Sequence, residues 1–409
     1  MVALTSYVDA LAAAVAVGAA ARLPVEEVPL ADADGRTIAE EVVVPRSLPH
    51  FASSAMDGYA VRAGDVAGAT DDRPTMLRVV AESQAGTPAD GAVRPGTAIR
   101  ISTGARVPEG ADAIVRVEDT TEADGTVAVR VSVEVGRNVR PVGEDVAAGD
   151  VAARVGDRLH PGRIALLGGI GVTTVTVSVR PTVTVVATGD EVVVGGGELA
   201  DGEVHDVNGL ALPALLRAAG VARVEVVRAP DDRDATIQAF ADATGDVVVS
   251  CGGVSAGRHD HVRPSLQALG AEQVVFGVAL QPGKPTWIGT LDGRPVLGLP
   301  GNPASTLVTA TLFLLPALRA MTGAPPTEPR WGRLIADAPS DPRRLRALRA
   351  VAVPQADGVL GVRPLAGQPS HHLGALADAD LLALVPPRDG GPLPAGSTVE
   401  VVRPPGVGA

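Results

Sequence analysis

The sequence predicts a multidomain chain of α/β plus β class, with a central doubly wound α/β domain, a β insert nearer the N-terminus and a small C-terminal β-barrel. Three observations predict it. The chain has 409 residues, more than one ordinary core spans, and divides into about three or four domains on the usual size scaling. From Pro181 onward, strand and helix patterns alternate as βαβ units do. The stretches 50–139 and 326–409 instead carry short Val-rich runs broken by Gly, Pro and Asp.

In chain order, residues 5–22 read as an Ala-rich helix behind a Thr5 or Ser6 cap. With Pro24 and the strand-like "TIAEEVVVP" they open an N-terminal domain, 1–49, to which the Gly-rich stretch 140–180 returns. Between these pieces lies the β insert, 50–139, typified by "GTAIRISTGARVPEGADAIVRVED". The α/β domain, 181–325, runs as strand "TVTVVATG", helix "NGLALPALLRAAG" stopped by Gly220, and strand "VARVEVVRA". A helix capped by Asp231 or Asp232 follows, then strand "DVVVS", a helix near "PSLQALG" and strand "EQVVFGVAL". A hairpin, "TWIGTLDGRPVLGLP", turns at Asp292 and Gly293, and the helix "ASTLVTATLFLLPALRAMTG" closes the unit. Residues 326–409 form the barrel.

Composition narrows the function classes. Hydrophobic residues make up 46% and aromatic residues 2%, so the cores are aliphatic and the chain is not of disordered type. A net charge of −12 argues against a nucleic-acid surface, which needs clustered cations to neutralise phosphates. The apolar run 11–21 falls short of the roughly 18 residues of a membrane span and has no basic segment before it. It is expected to be a helix of a cytoplasmic protein, with no membrane partner. The single cysteine, Cys251, excludes an intramolecular disulfide framework and a Cys-rich zinc site. Thirty-four of the 35 basic residues are Arg and one, Lys284, is Lys, while Asn occurs only at 138, 208 and 302. Such exceptions mark places where the commoner residue would not serve.

Ligands of a doubly wound sheet bind beyond the carboxyl ends of its strands. The segments after four predicted strands are "TGDE" (188–191), "SCGGVSAGRHD" (250–260), "QPGKP" (281–285) and "LPGNP" (299–303). They are expected to meet at one sheet edge as one pocket, with Gly252, Gly253 and Ser255 as one wall. Taken singly each has a plainer reading: "CGGVS" as a strand-to-loop turn, "TGDE" as a solvated helix start. Their coincidence with the lone lysine and with Asn302 favours a site. His259, Asp260 and His261 lack a third ligand at useful spacing for zinc or iron. The carboxylates Asp190, Glu191, Asp231, Asp232 and Asp260 suit a hard cation such as Mg²⁺ bridging a phosphate. Neither G-x-G-x-x-G nor G-x-x-x-x-G-K-[ST] occurs, which excludes the common dinucleotide and P-loop sites.

The ordered series "SSAMDGYA" (53–60), "RISTGARVPEGADAIV" (100–115), "NVRPVGEDV" (138–146), "ATGDE", "HDVN" (205–208), "CGGVSAG", "QPGKP" and "GLPGNPAS" resembles the molybdopterin molybdenumtransferase family, relatives of the gephyrin C-terminal domain. The resemblance spans nearly the whole chain. It implies a homodimer of elongated four-domain subunits whose α/β domain binds molybdopterin. Adenylated molybdopterin, supplied by a molybdopterin adenylyltransferase, meets molybdate and Mg²⁺, and AMP leaves as the molybdenum cofactor forms. It also implies that Asp57 and Thr103 of the β insert, together with Asp145, face the partner subunit's sheet edge. Lys284 and Ser305 would hold molybdate. The glycine loops at Gly189, Gly252, Gly253 and the turn Pro300, Gly301, Asn302 would carry the pterin phosphate with Ser255. Glu191, Asp231 and Asp232 would hold Mg²⁺, with Asp190 and Asp260 beside them in catalysis. Arg344, Arg349 and Ser370 match the C-terminal pattern. The chain departs from the family with Gln281 where a lysine is common, and with Ala52 and Ser53 replacing an acid and an amide. Two other functions fit the same residues: adenylylation of molybdopterin, and a non-catalytic pterin-binding scaffold.

Overall fold

The computed structural model describes residues 4–254 and 260–407; the expectations for Ser255 and His259 therefore lie outside the described residues. The α/β domain holds a six-stranded sheet. Its spatial order is Arg223–Ala229, Thr182–Thr188, Val247–Cys251, Arg294–Leu299, Trp287–Leu291, Glu272–Phe276. The first four strands are mutually parallel, and Trp287–Leu291 is antiparallel to both its neighbours. The central strand Val247–Cys251 is buried at every position, which is why it reads as an unbroken apolar run: parallel strands are covered on both faces. Leu212, Leu216, Val308 and Phe313 pack on one face, and Phe240, Val262, Leu266 and Trp287 on the other. The sheet is thus doubly wound, as the alternating pattern predicts. Asp232 caps the helix Arg233–Ala241, accepting from the Ala235 amide at 2.8 Å. The hairpin turns at Asp292 and Gly293 with φ of 51° and 78°, the geometry of a type I′ turn.

Three sequence expectations need correction. "EQVVFGVAL" is not one strand. It ends at Phe276, Gly277 takes φ of 80°, and Leu280–Gln281 leaves the α/β sheet to pair in parallel with Leu345 and Arg346 of the C-terminal barrel. "TIAEEVVVP" keeps only Val42–Val43 as strand, paired with Val151–Ala153. The first helix, Tyr7–Ala20, contributes Ala10, Ala14 and Val17 to the α/β core rather than to the core of residues 30–177. At Gly18 a Cβ would stand 2.2 Å from the Ala317 carbonyl oxygen, so only glycine permits that helix contact.

The helical segment Pro303–Met321 is apolar and long enough to cross a membrane by composition, but it lies inside the protein with 72% of its apolar window buried. A wide π turn, Ala310–Leu314, precedes Pro316. Proline lacks the N–H that would continue the i→i−4 ladder and its ring crowds the carbonyl four residues back, so the helix widens there.

The other units follow the predicted pattern. The β insert is a six-stranded sheet in the order Ala113–Arg116, Gly58–Val61, Thr97–Ile101, Thr75–Ser83, Thr126–Val129, Thr120–Ala123. Leu30, Ile38 and Val44 pack with Ala152, Leu167 and Val177 in a separate core, which makes the N-terminal domain discontinuous. In the C-terminal region Leu345–Pro354 pairs with both Leu360–Pro364 and Leu381–Val385. Arg330–Leu334 and Thr398–Val402 complete the circuit, closing a five-stranded barrel with no free edge.

Two outcomes test this packing. Phe240→Ala empties a fully buried ring site and is expected to lower unfolding free energy by about 3–5 kcal/mol in urea melts. Burial, and secondarily Asp206, push the Cys251 thiol up to about 12, so iodoacetamide at neutral pH should label it in urea and leave it unmodified in the native protein.

Candidate active-site cleft

At the carboxyl edge of the sheet a cavity of about 510 Å³ opens between the α/β domain and the barrel. The 280–285 turn lines it with Gln281 and Lys284, and the turn after Arg294–Leu299 adds Pro300, Asn302 and Ser305. The barrel supplies Arg344, Arg346, Gln368, Pro369, Ser370 and His371. Among the described residues, no carboxylate lines it.

The local sequence explains each placement. In "QPGKP", Gly283 adopts φ of 125° and a Cβ there would meet Thr309 Cγ2 at 2.6 Å and Leu280 Cδ2 at 2.9 Å. Only glycine lets the turn close. The Lys284 carbonyl accepts from the Val278 amide at 2.9 Å, which pins the main chain and leaves the exposed side chain free to reach the cavity. In "LPGNP", Pro303 starts the buried helix at its first turn, where a missing N–H costs nothing. Asn302 does not cap that helix; its amide donates to Ser370 Oγ at 3.1 Å. The Ala304 amide donates to the Ser370 carbonyl at 3.2 Å. These two bonds tie the barrel's 367–371 loop to the α/β domain.

The loop has a second anchor. Arg349 is completely buried, and its NH2 nitrogen donates to the carbonyls of Gly367 at 2.9 Å and Pro369 at 3.1 Å. Its Nε and NH1 nitrogens have no partner among the described residues. Burial, and then the neighbouring Arg346, lower its pKa. Arg344 donates to Asp341 Oδ2 through Nε at 3.2 Å and NH2 at 2.8 Å, and this pairing first holds the Asp341 carboxyl below its usual range. Among the described residues, Lys284 and Arg346 form no ion pair. The sequence reading passed over Arg346; its signal was the register opposite Gln281, which only the folded pairing reveals.

The predicted residues do not all meet in this cavity. Gly252, Gly253, Asp190, Glu191, Asp231, Asp232 and Asp260 stand at the neighbouring strand ends but do not line it. Gly252 and Gly253 take φ of 93° and 65°; a Cβ on the first would crowd Thr188 Oγ1 at 3.0 Å, and on the second Val262 Cγ2 at 2.7 Å. The Gly252 amide donates to the Leu299 carbonyl at 3.1 Å. Packing already accounts for both glycines. Gly301 lies against Gly252, and its carbonyl accepts from Asn208 Nδ2 at 2.6 Å. Asp190 Oδ1 accepts from the Asp231 amide at 3.0 Å, and the Glu191 carboxylate lies over Gly189. Each of Asp190 and Asp232 gives one oxygen to a backbone amide and keeps a second for a ligand. No three acids, histidines or cysteines gather as a metal cage among the described residues. In the insert, Asp57 Oδ1 accepts from Thr103 N at 2.6 Å and from Thr103 Oγ1 at 2.9 Å, while Asp145, just beyond the insert, is exposed.

Comparison with known proteins gives a consistent match along the chain. Residues 5–171 match the MoeA N-terminal region (domain I and II), 184–320 the probable molybdopterin binding domain, and 332–403 the MoeA C-terminal region (domain IV). The chain is 39% identical over 369 residues to Molybdopterin molybdenumtransferase 2 of Mycobacterium tuberculosis (strain CDC 1551 / Oshkosh), covering 88% of this chain and 90% of that protein. It is 32% identical over 384 residues to Molybdopterin molybdenumtransferase of Staphylococcus aureus (strain MSSA476), covering 93% and 91%. A crystal structure of a molybdopterin biosynthesis moea protein from Pyrococcus horikosii superposes with a TM-score of 0.79 at 32% identity, covering 98% of this chain and 99% of that one.

The Asp57 turn offers a direct measurement. Its carboxyl is held below the usual range first by the Thr103 amide and then by the Thr103 hydroxyl. Thr103→Val removes the smaller of the two, so the Asp57 pKa followed by NMR titration is expected to rise while staying below that of a free aspartate.

Proposed function

The chain belongs to the MoeA family of molybdopterin molybdenumtransferases, and from that membership we propose how its cleft inserts molybdenum into molybdopterin: molybdate is the oxyanion, adenylated molybdopterin the acceptor, and AMP the leaving group. The observation that carries this reading is the cavity itself. Among the described residues it presents a lysine and two arginines, hydroxyl and amide donors, and no carboxylate. A tetrahedral dianion is recognised by such a combination of compact charge and oriented donors. Lys284 supplies a point charge to the oxyanion. Ser305, Asn302 and Ser370 supply neutral hydrogen bonds, and the Arg344 fork, braced by Asp341, faces it from the barrel.

The pterin phosphate and the adenylate extend from the cavity across the neighbouring strand ends, over Gly301, Gly189 and Gly253. Glu191, Asp190, Asp231 and Asp232 would hold Mg²⁺ there. Their hard oxygen donors fit a cation that takes one or two carboxylates and completes its shell with phosphate and water. When bound, Mg²⁺ draws charge off the phosphoanhydride. Asp260 stands at the same edge to position substrate or move a proton. In a homodimer, Asp57 and Thr103 of one subunit's insert, with Asp145 just beyond it, would close the cleft of the other, where the Asp57 carboxylate stays ionised through its Thr103 bonds. A molybdopterin adenylyltransferase is the expected donor of substrate. Adenylylation by this chain itself is less favoured, because the match extends across the insert and barrel domains that flank the pterin-binding domain.

The test combines purified protein, adenylated molybdopterin, molybdate and Mg²⁺ and follows AMP and active cofactor. Lys284→Ala is expected to lower cofactor formation on the order of a hundredfold or more, as the loss of a charge-stabilising donor does elsewhere. Unchanged turnover in that variant would refute the assignment of Lys284. Pterin binding without AMP release would identify a scaffold, and adenylate made from ATP would identify the preceding enzyme of the sequence.

A further inference from the structure

We propose that Arg346 is a second oxyanion-binding residue of the cleft, acting with Lys284 as a two-cation clamp on the dianion. The inference rests on the reading that the cavity takes an oxyanion. Three cationic side chains line the cavity, and they differ in how their charge is balanced. Asp341 takes the Arg344 guanidinium through two of its nitrogens, so Arg344 presents little net charge to a ligand. Arg346 has no such contact: the charge of Asp341 acts on it only from a distance. Its guanidinium makes no ion pair and no hydrogen bond to any described residue, and its Nε is buried and unpartnered. Burial, before any neighbouring charge, lowers its pKa. A guanidinium without a partner at the wall of a cavity is a donor set awaiting an acceptor.

The fold also fixes where that charge stands. Leu280–Gln281 pairs in parallel with the barrel strand, and Arg346 is the register partner of Gln281. Lys284 follows on the same turn, three residues beyond Gln281. The two unpaired cations therefore approach the cavity from two domains, Lys284 from the α/β turn and Arg346 from the barrel. A dianion between them neutralises both and joins the domains. A neutral ligand would leave both charges unmatched.

Equilibrium dialysis of ⁹⁹Mo-molybdate against the full-length protein reads the clamp directly, with cofactor formation measured in parallel. Arg346→Ala is expected to weaken molybdate binding about tenfold to a hundredfold, the scale of one charge-assisted hydrogen-bonding group, without lowering the thermal midpoint. Gln281→Lys, placed on the register partner, should restore at least part of the affinity in the Arg346→Ala background, which a purely structural role for Arg346 would not permit. Molybdate affinity unchanged in Arg346→Ala, with wild-type protein still forming cofactor, would overturn the clamp and leave the proposed function intact. Wild-type protein that forms no cofactor, yet binds molybdate or sulfate with the same dependence on Arg346, would overturn the proposed function and leave the clamp intact. Absence of any dianion binding to wild-type protein would overturn the clamp.

Discussion

Everything at the cleft depends on a parallel pairing two residues long. Leu280 and Gln281 leave the α/β domain at Gly277 and join Leu345 and Arg346 of the barrel, and the Leu345 amide adds a bond to the Ala279 carbonyl at 2.9 Å. A sheet that crosses a domain boundary fixes distance and register together, since a one-residue slip would turn every side chain to the opposite face. This short ladder holds the barrel against the sheet edge, and the cavity lies between them. Asn302 and Ser370 close the contact from the other side.

The charge arrangement follows from that docking. The protein is strongly acidic overall, yet the described lining of the cavity collects cations and holds no carboxylate. Arg349, wholly buried, has only carbonyl acceptors for its NH2 nitrogen. A desolvated cation without a carboxylate is unfavourable by itself, and here it braces the loop that carries Ser370 while adding to the positive field behind the cavity.

The strand ends beside the cavity are built on a different principle. Gly252, Gly301 and Thr188 bring three neighbouring turns within van der Waals contact, and Asn208 ties the Gly301 carbonyl to the start of the next helix. The glycines are there because no side chain fits between the turns. That close approach leaves bare backbone at the strand ends, with Asp190, Glu191, Asp231 and Asp232 along its margin. A cationic cavity and an acidic margin thus stand apart, separated by a turn of small residues.

The sequence by itself determined the elements and the family. Apolar periodicity, caps such as Asp232 and the Asp292–Gly293 turn are local, and local physics writes them into short windows of residues. The rarity of lysine and asparagine singled out Lys284 and Asn302, and both line the cavity; Asn208 proved to be the tie between two of the turns. What only the tertiary structure decided was which strand ends share a cavity and which charges there stay unpaired. "EQVVFGVAL" carries no local mark of a strand that changes sheets, because its apolar alternation suits either one and the choice is made by pairing with residues more than sixty positions away. Arg346 is one of four arginines within residues 343–349, and for the same reason nothing local sets it apart. Its neighbour Arg344 meets Asp341 three residues back, a contact within reach of local reading, whereas the place of Arg346 opposite Gln281 exists only once the barrel has docked.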